Sequence, residues 1–300
     1  MFSQLINLLH IPKSSRDLSQ AQRLFHGRGH AYKGLEHITI DWLPPVILIT
    51  LFSPESNDNI NKLTTQLKQC FPLCESIQLQ HRYQQLGPID TLWGKQINRL
   101  IIQENNLLFQ LQLGKSRNTG LFLDMKNGRE WVKNNSKDKR VLNLFAYTCG
   151  FSIAAIAGRA KSVLNIDSSS PALEIGRINH HLNKQALNHV RFEKLNIFKS
   201  FGRIKKRGPF DLLICDPPTF QKGSIDIAKD YPKIIRRLTD FMAPGGTLML
   251  CLNAPELNRE FLSNMIDCYA PHFQYVEEIR PPDVYQEAQN KGLIVLIYAS

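Results

Sequence analysis

The strongest constraint in this chain is a change of rhythm at Arg140, after which short apolar runs alternate with stretches of helical spacing. Residues 140–145, 162–167, 190–195, 210–215 and 246–252 read as strands. Residues 151–158, 171–183, 227–241 and 255–269 read as helices between or after them, and strands at 274–279 and 293–298 close the chain. The run Phe210-Asp211-Leu212-Leu213-Ile214-Cys215 is nearly all apolar, as a parallel strand covered on both faces must be. Such alternation dictates an α/β fold, a doubly wound and mostly parallel sheet, here with an antiparallel C-terminal strand. Ligands of such sheets bind beyond the carboxyl ends of the strands, so the residues directly after each strand are the ones to read.

Residues 1–113 lack this rhythm and read as a smaller N-terminal α+β domain; residues 114–300 form the second domain. Val46–Phe52 is a strand after the Pro44-Pro45 break, residues 57–70 a helix with Ile60, Leu63 and Leu67 on one face, and residues 76–83 a strand. Residues 97–103 and 107–113 form a hairpin across Asn105-Asn106, a pair that tolerates the positive φ of a tight turn. Arg23–His30 is a basic, glycine-bearing loop that matches no motif; phosphate contact and an ordinary surface loop both remain open for it.

The strand ends carry the chemistry. After residues 140–145 comes Phe145-Ala146-Tyr147-Thr148-Cys149-Gly150. A dinucleotide site needs bare glycines there to admit a pyrophosphate, and only Gly150 is present. The loop suits a nucleoside without phosphates. Asp167, after the second strand, can accept from both ribose hydroxyls. Asn196, after the third, can pair with an adenine edge. Asp216-Pro217-Pro218-Thr219-Phe220 follows the fourth. Its two prolines fix the backbone and remove two amide donors, leaving a rigid shelf of carbonyls and one carboxylate beside which a base can be held.

The chain has 37 Lys and Arg against 26 Asp and Glu, a net charge of +11 that points to a polyanionic partner, nucleic acid being the commonest. Arg203, Lys205, Lys206 and Arg207 form the densest cluster and are candidate phosphate contacts; further basic groups lie at 133–140 and 229–237. Six cysteines show no Cys-x-x-Cys spacing, which favours reduced, packed thiols, no metal site and a cytoplasmic location. No apolar run approaches the ~18 residues of a membrane helix. The first fifteen residues lack the basic lead and cleavage site of a signal peptide. The oligomeric state is left open.

These residues in this order resemble a class I S-adenosylmethionine-dependent methyltransferase. Thr119-Gly120-Leu121-Phe122-Leu123-Asp124, with Arg129 beyond, then Val141–Thr148 and Asp216–Phe220, are similar to the bacterial 23S ribosomal RNA base methyltransferases. That group includes cytosine-5 enzymes and the guanine-N7 domain of a fused enzyme. The resemblance covers about residues 107–253. It implies a Rossmann-like fold and S-adenosylmethionine held by Phe145, Ala146, Tyr147, Thr148, Gly150, Asp167, Asn196 and Asp216. It also implies an RNA base as substrate, probed by Thr119, Arg129 and Asn253, with Asp216, Pro217, Pro218 and Phe220 at the reacting centre.

Three departures qualify the likeness. The family has an acid where this chain has Asn196. Cytosine-5 members place a nucleophilic cysteine where Asn253 stands. Their N-terminal RNA-binding module is not recognisable in residues 1–113. Direct methyl transfer without a covalent intermediate follows. The alternatives are a covalent cytosine-5 reaction through Cys251 or Cys149, and a non-catalytic RNA-binding protein that keeps a cofactor pocket.

Overall fold

A computed structural model describes residues 2–218, 225–254, 256–289 and 292–300. It divides into two compact units, Met1–Lys126 with Pro282–Asn290, and Asn127–Pro281 with Lys291–Ser300. The division falls after Lys126, not at 113/114, because residues 114–126 are tied backwards. Gln112 N donates to Thr119 O, Arg82 Nη2 to Asn118 Oδ1, and Asn105 Nδ2 to Lys126 O. No shift in composition marks that join, and nothing local announces that residues 282–290 return to the first unit.

The first unit is built on a five-stranded sheet in chain order: β1 (Gln22–His26), β2 (Ile38–Leu43), β3 (Val46–Leu51), β4 (Ser76–His81) and β5 (Ile89–Gly94). Neighbours are antiparallel except β3 and β4, which are parallel. A parallel pair needs a crossover, and α1 (Asn57–Cys70) supplies it. Ser56 caps α1 by accepting from Asn59 N at 3.3 Å, while Ile60, Leu63 and Leu67 are buried along one face. A separate hairpin joins β6 (Arg99–Glu104) to β7 (Leu107–Gln112). Its turn residues Asn105 and Asn106 have φ of 49° and 62°, the mirror-image geometry a tight hairpin requires.

The second unit contains a seven-stranded sheet. Its strands are β8 (Arg140–Leu144), β9 (Ser162–Asp167), β10 (Val190–Lys194), β11 (Phe210–Cys215), β12 (Met242–Leu252), β13 (Gln274–Glu278) and β14 (Ile294–Ala299). The spatial order is β10-β9-β8-β11-β12-β14-β13. The first five are parallel, and β14 is antiparallel to both of its neighbours. This is the Rossmann-like α/β sheet that the alternation requires. The chain steps from β8 outward to β10, then crosses back to β11. That reversal opens a crevice at the carboxyl ends of β8 and β11, where such sheets bind ligands.

Helices α2 (Lys126–Asn135), α3 (Gly150–Ala157), α4 (Ser170–Leu182), α5 (Phe201–Arg207), α6 (Ile227–Ile235) and α7 (Arg259–Tyr269) complete the unit. Leu142, Leu144, Leu213, Leu248, Leu250 and Leu296 are fully buried within the sheet's core, each contributing about 1.5–3 kcal/mol. Two expected helices are shorter than their patterns. The stretch 227–241 is two pieces, α6 with Pro232 inside it and a single turn at Leu238–Phe241. The last helix starts at Arg259, because Asn258 caps it by accepting from Phe261 N at 3.2 Å. A buried polar row crosses the unit. Asn143 Nδ2 donates to Asn165 Oδ1, Asn165 Nδ2 to Ser152 Oγ, and Ser152 Oγ meets His180 Nε2, each at 2.9 Å. Among the described residues, no helix is long and apolar enough to cross a membrane, and no group of three or more acidic, Cys or His residues could hold a metal.

Candidate active site

The loop that leaves β8 is held in an unusual backbone conformation. Phe145, Tyr147 and Cys149 take φ of 57°, 47° and 63°, left-handed values at three non-glycine residues. Each costs roughly 1–2 kcal/mol, so the surroundings must hold them there. Ala146 N donates to Ile166 O at 3.0 Å, Tyr147 N to Asp167 Oδ2 at 2.8 Å, and Cys149 N to Ala146 O at 2.7 Å. Helix α4 closes on the loop at Gly176, where a Cβ would lie 2.5 Å from Cys149 Sγ. Phe145 packs on Phe198, in the turn after β10, with ring centroids 6.3 Å apart. The loop thus leans on the ends of β9 and β10. Bulky side chains occupy the approach a pyrophosphate would need, and a nucleoside remains acceptable.

Asp167 ends β9, half-buried. One oxygen accepts from Tyr147 N and the other from Ser169 N at 2.7 Å. Two amides therefore fix the plane of the carboxylate, and each oxygen retains a lone pair for an incoming hydroxyl. Asn196 is exposed, and its side-chain oxygen accepts from Lys199 N at 3.2 Å, capping the single turn Ile197–Lys199. The cap fixes the amide in place and uses one of the two lone pairs assigned to adenine.

Asp216 and Pro218 are half-buried beyond β11, with Pro217 buried between them. Thr219 and Phe220 lie outside the described residues. Beneath this shelf stands a residue that the sequence pattern gave no reason to single out. The hydroxyl of Tyr231, on α6, lies 3.3 Å from Cys215 O and 3.2 Å from Cys251 O. It shares one proton between the carbonyls that precede Asp216 on β11 and Leu252-Asn253 on β12. Burial above all holds the phenol well above its usual range, so it remains a donor. Its only sequence signal is a tyrosine on the buried face of an amphipathic helix, which reads as core.

Asn253 is exposed just past β12. Cys149 and Cys251, the two cysteines considered as nucleophiles, are fully buried. Burial also pushes the Cys149 thiol far up, away from the reactive thiolate. Neither cysteine is presented to a base.

The basic cluster does not join the site. Arg203 Nε lies 2.8 Å from Glu193 Oε2 and Arg207 Nη2 2.9 Å from Glu193 Oε1, while Lys205 Nζ is 2.7 Å from Asp240 Oδ1. Helix α5 runs from the carboxyl edge of the sheet back to its amino edge. There Arg207 O accepts from Arg140 Nη2, at the start of β8, at 2.9 Å. Lys206 is exposed on the same last turn. Cations at a helix C-terminus complement its dipole, which accounts for the cluster without a phosphate. The group at 229–237 is similarly occupied, with Lys229 on Asp226, Lys233 on Asp230 and Arg237 on Asp240. Arg129 is a buried guanidinium on α2, only 4% exposed, and so does not face an open substrate surface. Thr119 belongs to the first unit, where its carbonyl accepts from Gln112 N at 2.8 Å.

Comparison with known proteins bears on the family and the fold. The chain is 31% identical over 226 residues to ribosomal RNA large subunit methyltransferase I of Tolumonas auensis, covering 72% of this chain and 57% of that protein. It is 28% identical over 280 residues to the protein of that name from Erwinia tasmaniensis, covering 88% and 70%. The chain thus spans little more than half the length of the first of these relatives. Among solved structures, SMU.776, described as a methyltransferase and crystallised with SAH, superposes with a TM-score of 0.87 at 22% identity, covering all of this chain and 82% of that one. The complex of aTrm5 with tRNALeu superposes with a TM-score of 0.60 at 15% identity, covering 86% and 70%. These two likenesses concern the fold. Residues 22–299 match the family described as S-adenosylmethionine-dependent methyltransferase, and the chain belongs to that family.

Proposed function

We propose that this protein methylates a base of large-subunit ribosomal RNA by direct transfer, in the cytoplasm. The observation that carries the reading is the Asp167 carboxylate, fixed by the amides of Tyr147 and Ser169 at the carboxyl end of β9. Phe145, Ala146, Tyr147, Thr148 and Gly150 would wrap the nucleoside, Asp167 would accept from its ribose hydroxyls, and Asn196 would meet its adenine. When bound, S-adenosylmethionine supplies a methyl group on a positively charged sulfur, open to attack by a lone pair. The chain's own contribution is positioning. Asp216 and the carbonyls of Pro217 and Pro218 orient the base, and Tyr231 holds the ends of β11 and β12 at a set spacing. The RNA reading is supported by the relatives' names and by the net charge of +11.

A base held this way needs no covalent help. Asn253 cannot form a base adduct, whereas a purine ring nitrogen already presents a lone pair. Calorimetry tests the cofactor site: S-adenosylmethionine binds, NAD does not, and Asp167→Ala weakens binding by roughly 1.5–3 kcal/mol, the scale for hydrogen bonds to a charged group. RNA containing 5-fluorocytidine tests the chemistry. A stable protein–RNA adduct abolished by Cys251→Ser or Cys149→Ser would replace direct transfer with the cytosine-5 reaction.

A further inference from the structure

The segment Arg23–His30, which reads as a loop and which no motif explains, is strand β1 as far as His26 and a single turn over Gly27–Gly29. Its glycines are steric necessities: a Cβ on Gly27 would lie 1.8 Å from Leu35 O, and one on Gly29 would lie 1.8 Å from Gln286 O. Backbone packs on both sides of the turn, and the residue between the glycines, Arg28, is exposed. Its guanidinium sits over the ring of Phe52, 4.5 Å from the centroid. Arg82, just past β4, approaches the same ring at 5.6 Å.

Arg82 is itself anchored to the neighbouring loop, donating to Arg117 O and, at 2.9 Å, to Asn118 Oδ1. Arg117 donates in turn to Gln84 O at 3.4 Å. Lys115 and Arg117 are exposed in that loop. Leu86 and Tyr83, between the anchored points, are 69% and 38% exposed. Three guanidiniums, an ammonium and two large apolar side chains therefore occupy one knitted set of loops: the Gly27–Gly29 turn, the end of β3, the segment after β4 and residues 114–119.

A flat guanidinium lying on a ring is preorganised and weakly hydrated, and its edge donors remain directed outward. Such an arrangement tracks a phosphate backbone while the apolar side chains receive base faces. We propose that this face of the first unit binds a single-stranded RNA segment, with Arg28 and Arg117 on phosphates, Leu86 and Tyr83 against bases, and Arg82 holding the loops together. The assignment rests on the RNA reading above and identifies a contact surface for it.

The test uses the full chain and a fluorescein-labelled oligouridine, with anisotropy measured across a salt series. Arg28→Gln with Arg117→Gln should weaken binding at least tenfold at low salt. It should also flatten the log–log salt slope by about 1.4, two contacts at roughly 0.7 each for a single strand. Leu86→Ser with Tyr83→Ala should weaken binding while leaving the slope unchanged. Circular dichroism and S-adenosylmethionine affinity should match the parent in both variants, which separates a contact loss from misfolding. Variants that bind oligouridine as tightly and as salt-sensitively as the parent would overturn the surface and leave the RNA reading standing. A parent that binds neither oligouridine nor ribosomal RNA would overturn both. Capture of anionic lipid vesicles in place of RNA, lost in the arginine variant, would overturn the choice of partner.

Discussion

The second unit holds 24 Lys and Arg against 15 Asp and Glu, a surplus of nine; the first holds 13 against 11, a surplus of two. By charge alone the polyanion belongs on the second unit. The arrangement points the other way. In the second unit Arg203, Arg207, Lys205, Lys229, Lys233 and Arg237 all sit within 4 Å of carboxylates. In the first, Arg23, Lys62 and Lys95 are paired likewise and Arg82 donates to Arg117 O and Asn118 Oδ1, but Arg28 rests on a ring and Arg117 on a carbonyl oxygen. Net charge counts cations, whereas recognition depends on what each cation already touches. An ion-paired arginine must give up its partner before it can serve a phosphate, and Arg28 on its ring need not.

The comparison can be broken most severely at the glycines. Gly27→Ala drives a Cβ into backbone oxygen and should cost more than ~3 kcal/mol, since backbone cannot step aside. Gly176→Ala meets the Cys149 side chain instead and should cost less. Urea unfolding of the two variants ranks them, and a reversed order would mean the first unit's turn is the more yielding.

Acid should strain both units through buried histidines. Burial and then Arg23 and Arg28 lower His26 to about 3, and burial above all lowers His180 to about 4. Both pKa values fall below the unfolded value, so the unfolded chain binds more protons as pH drops. Stability is complete above about pH 6.5 and is lost progressively toward pH 4. Moving from pH 7 to pH 5 should cost on the order of 1–2 kcal/mol for each histidine. His180→Gln and His26→Gln should each remove part of that dependence, read as the change in Tm with pH.

Tyr231→Phe keeps the ring and removes the shared donor from Cys215 O and Cys251 O. It should cost about 1 kcal/mol of stability. It should also lower kcat more than it raises KM, because the shelf loses its spacing. An equal effect on both constants would reduce Tyr231 to packing. The smallest effect is expected from replacing Arg203, Lys205, Lys206 and Arg207 together with glutamine: the RNA salt slope should change by less than about 0.7, one single-strand contact. A larger flattening would return the RNA to the second unit.

The sheet was legible because parallel strands buried on both faces leave continuous apolar runs, such as Phe210–Cys215. Of the candidate site, what was legible is place: Asp167 ends β9 and Asp216 directly follows β11, as the strand pattern requires. Three things were not. The left-handed φ of Phe145, Tyr147 and Cys149 is imposed by contacts with β9 and α4, against local preference. The hydroxyl of Tyr231 acts on strands distant in the chain. Strands β1 and β2 gave no alternating signal, since β2 is buried at every position. Nor were the partners of the basic clusters legible, because a one-dimensional reading sees Arg203 and Lys205 but not Glu193 and Asp240 folded against them.

The placement of β14 has a consequence for the order in which the protein can be completed. This strand lies between β12 and β13, yet it is the last of the sheet to be synthesised. Until residues 294–299 leave the ribosome, β12 and β13 each present an open edge able to recruit a stray strand. The first unit waits nearly as long, because Ala288 N supplies the hydrogen bond to Gly29 O. Neither unit can finish folding while the other is still being made. A chain that stops after residue 281 would leave one sheet open and the glycine turn unsupported.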